Sequence, residues 1–546
     1  MVLALVLLAA CKKPEPPAPP PEPVPSPVAA PADLALEVTL RGPDALWMAV
    51  QDGVKGPIEA LPRAASGLLA TLGPVDVSVT AEIDGAQPAY GVVATPGGVP
   101  TWALAMKLRD PRHARAALVL GTTPRWKSHA AGAELTVLEL PAAASSAVVA
   151  LSSLGYLVVA PREADLTALA PYATHNLPQQ PLTPHALVVR APAGALAGPI
   201  RDGIRGAWAK LRTNAAALDA SLRSDHGGRT PDFGDPQAVL AGVDAFVDDK
   251  LAAIAGLSLA VLTVDTADDA LVAEVTLTPG AGPAEATFRA MATGDASPLM
   301  TLSRGTTVAL LTYDDPASLE ASSRAMADRV EAVLKPALDR KATEKMRTAF
   351  TTWGRARGRW MTVGLELEEA RALTLRAPVR SGDDASRAVG EFVDLVSEPG
   401  WKDLARARFG IQSVSTAEVS VSGGGSTSIA TLHGKKDEPG DEPAVAWAVT
   451  EGLLHVAASK GPSRALRASK EPDHLLGSDA RLAAKLGSVR DRASFVVTLR
   501  PGLTRDPDAR RPSAVLAFGR DRGNGWGSLD IDDGLIREAL DRSLSP

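Results

Sequence analysis

Histidine, serine and carboxylate side chains are the groups of this chain that could carry out acid–base, nucleophilic or metal chemistry. No two histidines have metal-ligand spacing on one predicted element, so the sequence provides no basis for a zinc or haem site. The hydrolase elbow G-x-S-x-G, the Walker A loop and the zinc motif H-E-x-x-H do not occur. We therefore predict no catalytic residue, no metal and no cofactor, and we expect the protein not to be an enzyme. The histidines are His113, His129, His175, His185, His226, His433, His455 and His474.

Three short motifs resemble parts of catalytic sites, but each is better explained by local structure. The triplet Asp232-Phe233-Gly234 has no glycine-rich loop, catalytic loop or strand lysine of a kinase beside it, and we expect a loop. The glycines of 423–425 and 523–527 stand between predicted strands, where they favour hairpin turns. His455 lies in a predicted strand, where a structural role is expected.

Charged clusters leave two interpretations open. Glu82 and Glu366 have matching places in two predicted strands and could act as an acid–base pair, but solvation of the outer face of a sheet explains them as well. The segment from Trp353 to Trp360 alternates arginine with other residues. It could contact a lipid headgroup or a nucleic acid, although a surface turn that enters a strand at Trp360 is the simpler explanation.

Cys11 is the only cysteine of the chain and follows Leu8-Ala9-Ala10 at the end of an apolar run that starts at Val2. The run is too short for a membrane span, which needs about 20 apolar residues, but it suits the core of a secretion signal of roughly 7–15 residues. With one thiol, the body can form no internal disulfide. Packing alone must therefore stabilise it in an oxidising compartment.

The segment Leu8-Ala9-Ala10-Cys11 resembles the lipobox of bacterial lipoproteins, and the resemblance covers residues 1–11. It implies that residues 1–10 are a signal peptide and that Cys11 is acylated, which makes the lipid bilayer a partner. In that family an aspartate after the cysteine favours the inner membrane. Here Lys12 follows, which implies a cell-envelope location at the outer membrane, facing the periplasm.

Proline dominates the residues after Cys11, with ten prolines between residues 14 and 31. Proline fixes φ and removes backbone donors, so we expect residues 11–32 to be an extended tether of about 3.1 Å per residue. The net charge is −6 and the pI is near 5.9. This acidic balance argues against a nucleic-acid partner, because nucleic-acid-binding proteins usually carry a basic patch.

The body contains a pattern that repeats, which predicts an internal duplication. In each half a strand (36–40 or 308–312) precedes a proline-started helix, with Pro43 and Asp315-Pro316 as start signals. An alternating strand follows, at Val77–Ile83 and at Met361–Leu367. Later segments also correspond in order: 155–160 with 452–457, 186–189 with 494–497, and 257–277 with 513–532.

Strands outnumber helices in this pattern, which favours an α+β class. We expect two similar lobes, each a curved, mostly antiparallel sheet with packed helices. The first lobe covers 33–298, with a helical insertion at about 195–256, and the second covers 299–546. The body also resembles uncharacterised lipoproteins of Gram-negative bacteria, a resemblance that implies no activity.

These features favour a membrane-anchored periplasmic lipoprotein with a non-catalytic binding or envelope-assembly role. Its ligand could be an apolar molecule or an envelope protein, and a cavity above roughly 300 Å³ with apolar walls would favour the apolar molecule. The alternative is an envelope hydrolase with an unrecognised site, in which a histidine meets a carboxylate and a hydroxyl.

Overall fold

The structure is a computed structural model, and most of the body lies within its described residues. Cys11, the signal peptide and the first half of the tether lie outside the described residues, as do Asp232-Phe233-Gly234 and His226. The described residues are 25–54, 56–72, 77–120, 126–139, 147–225, 236–267, 269–334, 338–367, 371–421, 425–434, 441–470, 474–500 and 511–544.

Twenty strands of the described chain pair into one open sheet, and every pairing is antiparallel. Helices accompany groups of strands rather than each strand, so the predicted α+β class is confirmed. The strands are β1 Leu34–Leu40, β2 Ala89–Ala94, β3 Thr101–Lys107, β4 Lys127–Ala131, β5 Leu135–Glu139, β6 Val148–Ser152, β7 Tyr156–Ala160, β8 Leu187–Pro192, β9 Leu257–Ala267, β10 Ala270–Pro279, β11 Thr306–Tyr313, β12 Trp360–Glu366, β13 Ala372–Pro378, β14 Ile411–Val421, β15 Gly425–Gly434, β16 Pro443–Thr450, β17 Leu453–Lys460, β18 Ala493–Leu499, β19 Ala514–Asp521 and β20 Asn524–Asp532.

Several of the α-helices begin at a residue whose side chain caps them or at a proline. Asp110 accepts hydrogen bonds from two backbone amides at the start of the third helix, and Asp339 and Ser381 cap later helices in the same way. The helices are α1 Pro43–Val54, α2 Ala65–Leu72, α3 Pro111–Arg115, α4 Glu163–His175, α5 Arg201–Asp225, α6 Pro236–Ala255, α7 Pro283–Ala290, α8 Leu319–Leu334, α9 Arg340–Ala356, α10 Gly382–Leu395, α11 Pro399–Phe409, α12 Pro462–Ala468, α13 Ala480–Val489 and α14 Asp533–Leu544.

The strand pairings of β1–β10 recur in the same order in β11–β20. In the first half β1 pairs with β2 and β8, β3 pairs with β7, and β9 pairs with β10. In the second half β11 pairs with β12 and β18, β13 pairs with β17, and β19 pairs with β20. The duplication itself stays a prediction, because the order of pairings does not record how the sequence arose.

The two halves share one sheet because β10 pairs with β20. Eight residue pairs join them, from Ala270 opposite Asp532 to Leu277 opposite Gly525. The predicted insertion of two helices is present as α5 and α6, and Asp244 on α6 accepts hydrogen bonds from Trp208 (2.8 Å) and Arg212 (3.0 Å) on α5.

The predicted strand at Val77–Ile83 is wrong, since Val77–Thr80 forms one helical turn and a turn follows. Val79 and Thr80 of this turn are buried, and Ile83 after it forms an isolated bridge with Leu108. The strand that pairs with β1 is β2, and it corresponds in pairing order to β12.

The start predicted for the first helix of the second half, at Asp315-Pro316, is also too early. Asp315 accepts a hydrogen bond from the backbone amide of Ala317 within a turn, and α8 begins only at Leu319. Asp and Pro are as favourable in turns as at helix starts, which explains the error.

The last part of the predicted tether is bound to the body. Asn176 accepts a hydrogen bond from the amide of Val28 and donates one to its carbonyl, both at 2.9 Å. His175 Nδ1 lies 2.8 Å from the carbonyl oxygen of Ser26. The end of the predicted tether is therefore not free of the body, and residues 11–24 lie outside the described residues.

Candidate functional site

One face of the eight central strands carries apolar side chains that are only partly covered. Cross-strand pairing aligns Leu187, Val264, Ala273, Leu529, Leu516, Val497, Leu310 and Val363 in one row across β8, β9, β10, β20, β19, β18, β11 and β12. Rows on either side add Val189, Leu262, Val275, Phe518 and Phe495, and Leu271, Ile531, Ala514, Leu499, Val308 and Leu365. We call this set the apolar face.

No side chain of the apolar face is buried, although each is aliphatic or aromatic. Leu262 is 36% exposed, Leu499 41% and Leu516 44%. Scattered exposed leucines are ordinary, but a contiguous apolar patch on a soluble protein is typical of an interaction site.

The opposite face of the second-half strands is closed by α13. Val496, Val515 and Ala517 alternate with apolar-face residues, and they are at most 2% exposed. They form one core cluster with Leu482 and Leu486 of α13. The same strands therefore have one filled face and one open face, because successive side chains of a strand point to opposite sides.

Helices border the apolar face at the end of β9 and β10 where those strands meet α6 and α7. Phe288 of α7 packs against Gly525 of β20, and a Cβ built on this glycine would lie 2.4 Å from the ring. Phe288 also belongs to a cluster with Ala260 and Leu277. These contacts cover the sheet at that edge of the apolar face.

Two surface cavities exceed 300 Å³, and charged side chains line both. One, of about 340 Å³, has Arg289, Arg359, Asp314 and Asp315 in its wall. The other, of about 380 Å³, is lined mainly by arginine and aspartate between residues 490 and 522. Neither of these two cavities has the apolar walls that an apolar ligand would favour.

Several histidines contact carboxylates, as a hydrolase would require. His185 Nδ1 lies 2.6 Å from Asp265, His175 Nε2 lies 2.7 Å from Glu134, and His129 lies between Glu139 and Glu163. The Glu163 contact contributes most to raising the pKa of His129. His129 joins β4 to β5 and α4, His175 joins α4 to the turn at Glu134, and His185 joins the loop before β8 to β9.

One histidine contacts a serine hydroxyl. Ser415 Oγ and His433 Nε2 are 2.8 Å apart on the β14–β15 hairpin, at one end of the sheet. Among the described residues, His433 has no carboxylate partner, and Ser415 is exposed. The pair therefore lacks both the orienting group and the enclosed cleft that activate a serine nucleophile.

His455 is buried on β17 and faces inward, as the expected structural role requires. Burial, together with the nearby positive charge of Arg376, lowers the pKa of His455 to about 4. The imidazole is neutral at pH 7 and serves as a core side chain.

The other residues that the sequence singled out lie apart. Glu82 lies in a turn and is 3.8 Å from His113, whereas Glu366 is buried at the end of β12 in the other half. Within 353–360, Arg355 pairs with Glu320, Arg357 pairs with Asp314, and Arg359 donates to the carbonyl of Thr293. The structure does not bring the two glutamates together, and it uses these arginines to join elements.

Within the described residues, no helix combines the length and the apolar character of a membrane span. The same residues contain no cluster of three or more His, Cys, Asp or Glu side chains placed to hold a metal ion. Comparison of the chain with protein-family models, with curated proteins and with solved structures found no match. The apolar face is therefore the candidate site that the geometry of the chain itself provides.

Proposed function

We propose that this protein is a non-catalytic, lipid-anchored protein of the bacterial envelope that binds an acyl chain on its apolar face. The observation that carries the proposal is the row of aliphatic side chains across eight strands, none of them buried. A sheet normally buries such a face against another element. Here the described chain leaves the face only partly covered, which supports an occupant from outside it.

The envelope location is supported by the segment Leu8-Ala9-Ala10-Cys11 and by Lys12 after it. Acylation of Cys11 would hold the body at the outer membrane, facing the periplasm. Intact-mass spectrometry of the detergent-extracted protein tests this part directly. An unmodified Cys11 in the mature protein would contradict it.

The chemistry of the apolar face suits an acyl chain better than a protein partner. The strand backbones already bond to each other, so the face offers dispersion and hydrophobic contact but almost no hydrogen bonds. A chain of methylenes needs nothing more and gains about 0.8 kcal/mol for each buried CH₂. A protein–protein interface of standard size typically carries about ten hydrogen bonds.

The apolar face is long enough for an extended acyl chain. Its eight strands, about 4.8 Å apart, span roughly 34 Å between the outermost strands.

The proposal is tested by titrating the full-length protein with a fluorescent fatty acid. Leu516→Asp and Leu262→Asp should each weaken fatty-acid binding roughly tenfold or more. The bound acyl chain would remove water from the new carboxylate on the apolar face, which costs free energy. Both leucines are at least 36% exposed, so the fold should tolerate the change. The matched control is Leu211→Asp on α5, where the leucine is 61% exposed outside the apolar face.

Wild-type binding with loss in both apolar-face variants and none in the control would support the proposal. Absence of saturable binding, or equal loss in the Leu211 control, would overturn it. Capture of a protein partner that depends on Leu516 and Leu262, in place of the fatty acid, would instead favour a protein-docking surface.

A further inference from the structure

The cavity of about 380 Å³ lies where the β19–β20 hairpin turn meets the connection between α13 and β18. Four arginines line it, Arg490, Arg492, Arg520 and Arg522, together with Asp491 and Asp521. We call it the arginine pocket. The chain as a whole carries a net charge of −6, so this excess of cations is local.

Two of the four arginines are held in place by other parts of the fold. The guanidinium of Arg492 lies 4.0 Å from the ring centre of Trp526 and donates to the carbonyl of Ser488 at 3.0 Å. Arg520 donates to the carbonyl of Arg289 at 2.8 Å. These contacts fix two positive charges in the wall of the pocket before any ligand arrives.

The other two arginines have backbone conformations that disfavour any side chain. Arg490 has φ of 52° at the end of α13, and Arg522 has φ of 48° in the hairpin turn. A left-handed conformation costs a residue with a side chain about 1–2 kcal/mol, which glycine avoids. Non-glycine residues that keep such strain are concentrated at functional sites.

The side chains of Arg490 and Arg522 have no hydrogen-bond or ion-pair partner among the described residues. Their neighbours Asp491 and Asp521 do not neutralise them, since the ion contact of Asp521 is with Arg492, at 3.7 Å. Glu274 also lies 4.0 Å from Arg492, and four arginines against these three carboxylates still leave the pocket with a net positive charge. Two of those cations are thus free to bind an anion.

The fold itself does not require arginines at this place. The corresponding hairpin turn of the first half, between β9 and β10, also contains a residue with positive φ, but that residue is Asp269, with φ of 63°. Residues of either charge therefore occupy such turns, and closing the hairpin does not fix an arginine at this position.

We propose that the arginine pocket binds a phosphate group, either a free phosphate or the headgroup phosphate of a lipid. Guanidinium groups match phosphate oxygens with paired, charge-assisted hydrogen bonds. Arg492 and Arg520 would supply the fixed charges, and Arg490 and Arg522 would close on the ligand. This inference goes beyond acyl-chain binding and does not rest on it.

The test replaces Arg490 and Arg522 together by glycine in the full-length protein. Glycine removes two cations and also relieves the positive-φ strain, so the melting temperature should be unchanged or higher. Affinity for phosphate should fall roughly tenfold or more, because two charge-assisted contacts are lost. Arg371→Gly is the matched control, since Arg371 also has positive φ (45°) and lies outside the pocket.

Calorimetric titrations use inorganic phosphate in one arm and soluble dihexanoylphosphatidylglycerol in the other. Loss of phosphate binding in the double variant but not in Arg371→Gly supports the site with a free phosphate as its ligand. Loss confined to the lipid supports it with a headgroup as its ligand. No saturable binding of either probe by the wild type, or equal binding by the double variant, overturns the proposal, and neither result bears on the apolar face.

Discussion

At the scale of single residues, the buried imidazole of His455 makes stability depend on pH. Its pKa in the folded protein is about 4, against about 6.5 in an unfolded chain. Between these values the unfolded chain binds a proton that the folded chain does not. Stability should therefore fall as pH drops from about 6.5 to about 4, by at most about 3 kcal/mol, with no contribution above pH 6.5.

The variant His455→Leu should remove this part of the pH dependence, because leucine fills the site and does not titrate. Urea unfolding at pH 4.5 and pH 7 measures the slope. His113→Leu, at an exposed histidine, is the control and should keep the wild-type difference. An unchanged difference in His455→Leu would show that another group causes the acid sensitivity.

At the scale of elements, buried charges attach α13 to β20. Lys485 pairs with Asp530 and lies 2.9 Å from Asp532, which Arg481 also approaches at 2.8 Å. The other oxygen of Asp532 accepts hydrogen bonds from the amide (2.7 Å) and hydroxyl (3.0 Å) of Ser513. These contacts close the filled face of the sheet opposite the apolar face.

We predict that Lys485→Met lowers the free energy of unfolding by about 1–3 kcal/mol, because Asp530 and Asp532 each lose a partner while Asp532 keeps Arg481 and Ser513. Urea unfolding measures the loss. The exposed Lys402→Met should change stability by less than about 1 kcal/mol. Equal stability of the two variants would mean that the buried pair does not hold the helix.

The sequence predicted elements well where one periodicity was dominant. The strands β7, β12 and β17 and the inserted helices α5 and α6 were found in this way. Val77–Ile83 was mispredicted because four alternating residues fit a strand and a helical turn equally well. Only pairing of β2 with β1, from a distant part of the chain, decides which segment joins the sheet.

The apolar face could not be predicted for a related reason. Strands such as Ala493–Leu499 and Ala514–Asp521 are apolar at most positions, which normally indicates burial on both faces. Whether a helix covers the second face depends on tertiary packing, which the local pattern does not record. The arginine pocket was missed because its residues are separated along the chain and no motif joins them.

At the scale of the whole molecule, the apolar face exists only because the two halves pair. Its rows cross the β10–β20 junction, where Ala273 faces Leu529 and Leu271 faces Ile531. Neither half alone would present the full length of the apolar face. Binding of one acyl chain across this junction would make the continuous sheet, rather than either half, the functional unit.

The most direct test of the central claim is photo-crosslinking of the full-length protein with a diazirine-bearing palmitate, followed by peptide mapping. We predict that labelled peptides come from β9, β18 and β19, which carry the exposed Leu262, Leu499 and Leu516, and that unlabelled palmitate competes for the label. Labelling confined to α5, where Leu211 and Leu218 are exposed away from the sheet, or no competable labelling, would contradict acyl-chain binding on the apolar face.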